Sequence, residues 1–424
     1  MMSKSTFAAI LLVGLGFDSS LGQESQGPPL QLKELIEEAL GKNPEIVAAK
    51  NQWAASVAKI TQATALDDPV LSFIYPGRKV ETRVGPQENR FRISQKLPFF
   101  GKLRLRGEVA TRSADQAREI FEAKKLEIVA KVKRAFYELF MAHKAIQINQ
   151  ENVGILRRLG GIGEVKYATG RVSQGDVLKA QVELAKLANE LITLRQEKET
   201  AEAALNILLN RPPQAPLGVP GEFENPPLTF TLEELEEMAV EQQPLLKALQ
   251  LAISASAANL ALARRDYYPD VTVGVDYIQV GGGTTLSDDD GKDALLFSAG
   301  LNIPIWRKRL KARVRETEAA IKASEATYEA VRDRIVFEVT DALVKVQSAE
   351  RLVDLFITTI LPLAEQSLAA ATIGYESDRV DFLDLLESQR ILQDFQLDYY
   401  RALVNYEQEL ANLERTVGAD LVLR

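Results

Sequence analysis

Four acidic side chains recur at every third position ahead of one long apolar-periodic stretch: Asp378, Asp381, Asp384 and Glu387. Residues spaced by three on an α-helix lie about 60° apart around its axis, so consecutive members face nearly the same way at successive levels. Carboxylates so placed can cap a helix N-terminus, a stabilisation of a few tenths to about 1 kcal/mol. Gathered around a narrow opening, they would instead raise one another's pKa values and concentrate cations. An earlier copy of the segment helps to separate the two uses. Tyr167-x-x-Gly170-x-x-Ser173-x-x-Asp176-Val177-Leu178-x-Ala180-Gln181 is matched by Tyr375-x-x-Asp378-x-x-Asp381-x-x-Asp384-Leu385-Leu386-x-Ser388-Gln389. Ser173-x-x-Asp176 has the form of a capping box, so Asp176 and its counterpart Asp384 suit a cap. Gly170 opposite Asp378 and Lys179 opposite Glu387 break the match, and capping does not explain that asymmetry.

The cations form a second constellation. Lys102, Arg104 and Arg106 follow one strand-like run; Arg307, Lys308, Arg309, Lys311 and Arg313 follow another. Positive charge at a helix N-terminus opposes the macrodipole. A collar beside anionic lipid headgroups, or lining a duct, would account for it; plain solvation does so equally well. Other chemistry is scarce. There is no cysteine, and the one histidine, His143, sits mid-pattern in a long helical stretch without carboxylate partners nearby, which reads as structural. No nucleophile–histidine arrangement, phosphate-binding glycine loop or metal-ligand cluster is found, so neither an enzyme nor a cofactor is expected. A net charge of −8 disfavours nucleic acid.

The elements that position these groups come in duplicate. Asn43-Pro44 opens a helical stretch that runs to Asp68-Pro69 and an alternating segment; Gln243-Pro244 opens another that runs to Tyr268-Pro269 and a second alternating segment, 200 residues later. Each half reads helix, strand, strand, very long helix, helix, with repeats at 23–218 and 219–424. Strands are expected at about 70–79, 89–97, 270–280 and 294–303. The stretches from Leu103 to about Val165 and from Leu310 to about Gly374 predict rods of roughly 95 Å, the second interrupted only by Pro362. Val177–Leu209 and Ile46–Leu66 together match one rod in length, so short helices stacked end to end would flank a long one. Leu184, Leu187, Leu191 and Leu194 step by three and four, as do Leu392, Phe395, Tyr399, Leu403 and Tyr406; that spacing makes coiled-coil seams.

In the strands, Phe91, Ile93 and Leu97 alternate with Arg92, Ser94 and Lys96, and Phe297, Ala299, Leu301 and Ile303 with Ser298, Gly300 and Asn302. One apolar and one polar face suit lipid outside and water inside. Aromatic residues Phe99, Phe100, Tyr267, Tyr268 and Trp306 flank the strands, as an interface girdle would. Met1–Gly22 has the charge, apolar core and small-residue end of an export signal. No later run approaches the roughly 20 uninterrupted apolar residues of a membrane helix, so any span is expected to be made of strands. The fold class is therefore mainly α with a membrane β-barrel. Four strands cannot close, so the chain has to pool strands with copies of itself.

The duplicated architecture, the Gln95-x-x-Pro98-x-x-Gly101-Lys102 turn and the doubled tyrosine-to-glutamine signature together resemble the TolC-like outer membrane efflux proteins, across nearly all of the chain beyond residue 22. The wording Pro98-Phe99-Phe100-Gly101-Lys102 looks closest to the branch serving resistance–nodulation–division pumps. The absence of a cysteine departs from members of that branch that carry a lipidated one. The resemblance implies a homotrimer with a 12-stranded barrel in the outer membrane of a double-membraned bacterium and an α-helical periplasmic tunnel. It further implies a periplasmic adaptor and an inner-membrane pump as partners. Asp384 and Glu387, with Asp381 less directly, fall where the aperture carries its acidic rings; Tyr375 and Asp176 fall at its latch, where an arginine is replaced by Val380. Pro69, Pro98, Gly101, Pro269 and Pro304 mark the barrel–tunnel transition, with the collar of Lys102, Arg104, Arg307, Lys308 and Arg309 just below. The expected function is passive export of small molecules or metal ions. Polypeptide export and a poreless periplasmic coiled-coil adaptor are the alternatives.

Overall fold

The computed structural model describes residues 29–223, 228–283, 286 and 288–421. The export signal expected at 1–22 lies outside them. Helices α1 (Leu32–Lys42) and α2 (Pro44–Thr64) lead into strands β1 (Val70–Ile74), β2 (Val80–Thr82) and β3 (Gly85–Leu97), then α3 (Lys102–Ala168) and α4 (Gln174–Leu208). The order recurs as α5 (Leu232–Gln242), α6 (Pro244–Arg265), β4 (Val271–Val280), β5 (Ala294–Leu301), α7 (Arg307–Leu355), a π-helical turn (Phe356–Ile360), α8 (Leu361–Glu376) and α9 (Phe382–Val417).

The first expected strand is cut short. Pro76 supplies no N–H, so β1 ends at Ile74 and the chain re-enters the sheet as β2, paired with an early start of β3 (Val80 opposite Gln87). The second rod is interrupted too. Pro362 cannot donate to the i−4 carbonyl, and the π-helical turn directly before it absorbs the mismatch.

Helix α3, at 67 residues, spans about 100 Å. It packs against α2, α4, α6 and α9, and α7 packs against α6 and α9. Gly107 makes the α2 approach possible, because a Cβ there would lie 2.6 Å from the Thr64 methyl. The short helices do stack end to end, and one buried amide joins each stack. Asn43 caps α2 by accepting from the Glu45 and Ile46 N–H groups (2.9 and 3.4 Å), while its own amide donates to the Leu208 carbonyl at the end of α4 (2.9 Å). Gln243 does the same between α6 and α9, donating to the Arg415 and Thr416 carbonyls (3.0 and 2.7 Å). The paired Asn-Pro and Gln-Pro of the sequence are these joints. Around them lie two equivalent cores, one with Leu35, Val132, Phe136 and Leu205, the other with Leu235, Val339, Val346 and Leu413.

Two helical stretches, Pro244–Arg265 and a window within Arg307–Glu376, are long and apolar enough to cross a membrane by length and composition. Neither is an uninterrupted apolar run: α6, for example, carries Lys247 and Gln250. In α6 much of that apolar character is alanine, and alanine is what lets α6 sit closely between α3 and α7.

Candidate pore and aperture

The sheet order is β1-β3-β4-β5, all antiparallel, with β2 beside β3. The β3–β4 pairing joins the two repeats, and β1 and β5 are left as open edges among the described residues. Register sorts the side chains strictly. Phe73, Phe91, Tyr277 and Leu295 lie in one row and Leu71, Ile93, Val275 and Phe297 in the next, all on one face. Ring contacts tie Phe73 to Phe91 (5.1 Å) and Phe91 to Tyr277 (6.4 Å), yet Leu71 remains 75% and Phe297 80% exposed. Among the described residues no element covers this face. The opposite face holds Arg90, Arg92, Lys96 and Asp276; Arg90 Nε donates to Asp276 Oδ1 at 2.8 Å, with Arg92 at 3.9 Å.

At the foot of the sheet the transition residues Pro69, Pro98, Pro269 and Pro304 lie in the connections between strands and helices, and Gly101 takes the left-handed φ of 85° that starts α3. Asp270 organises this level. Its carboxylate accepts from the Phe99 N–H (3.0 Å) and from Lys102 Nζ (2.8 Å), which also reaches the Tyr268 carbonyl (3.2 Å). Lys102 is therefore a buried tie rather than a solvated collar residue. Asp270 was missed from the sequence; its only signal is that Val70 occupies the equivalent position in the first repeat. Arg104, Arg307, Lys308 and Arg309 are exposed as expected. The aromatics are mixed: Phe99 stacks on Tyr268 at 4.6 Å and meets the Phe100 ring edge-on at 6.1 Å, while Phe100 and Trp306 remain largely exposed.

At the far end of the helices, the α3–α4 and α8–α9 turns pack side by side around Leu159, Ala180, Tyr375, Phe382 and Leu385. Asp176 forms the capping box with Ser173 and is paired with Lys179 (3.3 Å). In the second copy it is Asp381 that caps α9, accepting from the Asp384 N–H at 2.9 Å. That leaves Asp384 exposed, with no ion-pair partner among the described residues, whereas Glu387 lies 3.6 Å from Arg390. Asp378 takes a left-handed φ of 60°, as Gly170 does at 72°. Its carboxylate, held below the usual range mainly by the hydrogen bond from Lys166, pairs with that lysine (2.5 Å) and with Arg171 (3.7 Å).

Lys166 is the tip residue the sequence reading missed. It is buried, donates to the Tyr375 carbonyl and lies 4.5 Å above the Tyr375 ring. Tyr375 is itself buried, and its hydroxyl has no hydrogen-bond partner among the described residues. Burial, then the charges of Asp176 and Asp378, push its pKa up.

Comparison with known proteins assigns this architecture to a family. The family model "outer membrane efflux protein" matches residues 35–211 and again 235–419. The chain belongs to the outer membrane efflux protein family. Among relatives, the cobalt-zinc-cadmium resistance protein CzcC of Cupriavidus metallidurans is 24% identical over 93% of this chain and 91% of its own. Among solved structures, CusC superimposes with a TM-score of 0.78 at 19% identity, covering 94% and 96% of the two chains. The outer membrane protein VceC of Vibrio cholerae gives 0.76 at 20%, covering 92% and 97%. Family membership makes this chain an outer-membrane efflux channel that extends into the periplasm and sets aside the poreless adaptor reading.

Proposed function

We propose that three copies of this chain close a 12-stranded barrel over a common helical tunnel. Repeats 23–218 and 219–424 would form one integrated subunit, with the tunnel docking on a periplasmic adaptor and an inner-membrane pump. The observation that carries this reading is the sheet, four strands across, apolar through the middle rows of one face and unpaired at both edges: open edges are not tolerated in lipid, and β5 of one copy would meet β1 of the next. Unpartnered apolar side chains far below the sheet, Ile192 on α4 and Leu363 and Ile373 on α8, supply seams for neighbouring copies. The cargo class is metal cations or small molecules, supported by the similarity to CzcC and by the uncompensated Asp384. Asp384, Glu387 and Asp381 would form the aperture acids around the threefold axis, and Tyr375 with Asp176 on the neighbouring helix its latch. The test is reconstitution of the purified protein in planar bilayers: stable unitary conductance with cation preference is expected, and an electrically silent membrane-inserted protein would overturn it.

A further inference from the structure

The polar face of the sheet and the two helix starts beneath it meet in a pocket of about 560 Å³ lined by Lys96, Lys102, Arg106, Arg309 and Arg313 against two carboxylates, Asp266 and Asp270. Both acids are already committed: Asp270 to Lys102 (2.8 Å) and Lys96 (3.5 Å), Asp266 to Lys102 (3.7 Å). The other wall is not neutralised. Arg106 and Arg309 have no ion-pair partner among the described residues, and Arg313 meets only Glu316 at 3.4 Å, outside the pocket. The walls thus carry a surplus of three positive charges. Neither helix start relieves it, since α3 and α7 have no acid in the first turn and no side-chain cap, so the macrodipoles add to the positive potential.

Strand parity fixes which side this pocket faces. Lys96 shares its face with Arg90 and Arg92, opposite the lipid-compatible row of Phe91 and Ile93. In the closed barrel, on which this position rests, the pocket therefore opens to the lumen rather than to the bilayer. We propose that it is a lumenal binding site for multivalent oxyanions, compact solutes bearing phosphate or several carboxylates. Guanidinium forks suit such groups because they donate two parallel hydrogen bonds. The duct would then have two electrostatic stations of opposite sign: acids at the periplasmic tip and cations at the foot of the barrel.

Inorganic pyrophosphate is the probe, with binding to the purified full-length protein measured by calorimetry. The double variant Arg106→Gln/Arg309→Gln should bind at least tenfold more weakly. Asp266→Asn, which enlarges the positive surplus, should bind more tightly, a gain that misfolding cannot mimic. No binding by the parent, or equal affinity in all three proteins, overturns the site. In bilayers, pyrophosphate added to the barrel side should reduce the parent's conductance and spare the double variant. Binding without block of an active channel would overturn the lumenal position. A parent that binds but never conducts would instead count against the pore reading, with the binding series still deciding the pocket.

Discussion

Charge at the mouth of a duct acts on passing ions only where local partners leave it unbalanced. Asp384 meets that condition and Glu387, beside Arg390, meets it less well. Asp384→Asn should therefore lower the cation-over-anion permeability ratio about threefold or more, and Glu387→Gln by less than half that effect; bilayer reversal potentials measure both. The Tyr375 hydroxyl is buried without a hydrogen-bond partner among the described residues, and Asp176 on the neighbouring helix is close enough for its charge to push the Tyr375 pKa up, so the latch would pair these two. Tyr375→Phe should raise conductance and antibiotic permeability, and unchanged values would remove the latch. Lys166→Met deprives the Tyr375 carbonyl of its buried donor and leaves Asp378 only the more distant Arg171, and should loosen the tip by about 1–3 kcal/mol, read as faster proteolysis at the α3–α4 and α8–α9 turns. Burial pushes the Glu414 carboxyl up to about 7, against the nearby Lys133. An acid raised above its unfolded value holds an extra proton in the native state between about pH 4.5 and 7. Stability should fall as pH rises through that window, by up to about 3 kcal/mol, and level off above it. Thermal midpoints across that range should slope downward in the parent and lie flat in Glu414→Gln.

Helix joints decide whether two short helices behave as one long one. Asn43 serves as cap and clasp at once, and Asn43→Ala removes both, leaving the Leu208 carbonyl at a buried joint. A loss of roughly 1–2 kcal/mol is expected, seen as a lower melting temperature, with Gln243→Ala giving a similar loss in the second repeat. At this scale the sequence was readable wherever periodicity governs. The seam through Leu392, Leu403, Tyr406, Leu410 and Leu413 is buried as its spacing requires, and both rods have nearly their expected length. What periodicity cannot show is how one element reaches another. The Asn-Pro and Gln-Pro steps were visible as helix openings, but their clasping amides were not. Asp378 was visible as an acid out of pattern, but nothing local announces its left-handed backbone or its partner Lys166, 212 residues away on α3. Lys102 looked like a surface cation because nothing local announces Asp270, 168 residues away.

A membrane barrel of four strands is incomplete in a way that a helical bundle is not. The alternation of Phe91, Ile93, Leu295 and Phe297 identified the lipid-compatible face from sequence, and the register places these residues in common rows. Alternation says nothing about which strands are neighbours, so the β3–β4 pairing that joins the repeats emerged only in three dimensions. The two edges it leaves, β1 and β5, make assembly the central requirement of the whole account. Its most direct test is the native mass of the detergent-extracted particle. Three chains per particle are predicted, and a stable monomer or dimer would contradict the shared barrel.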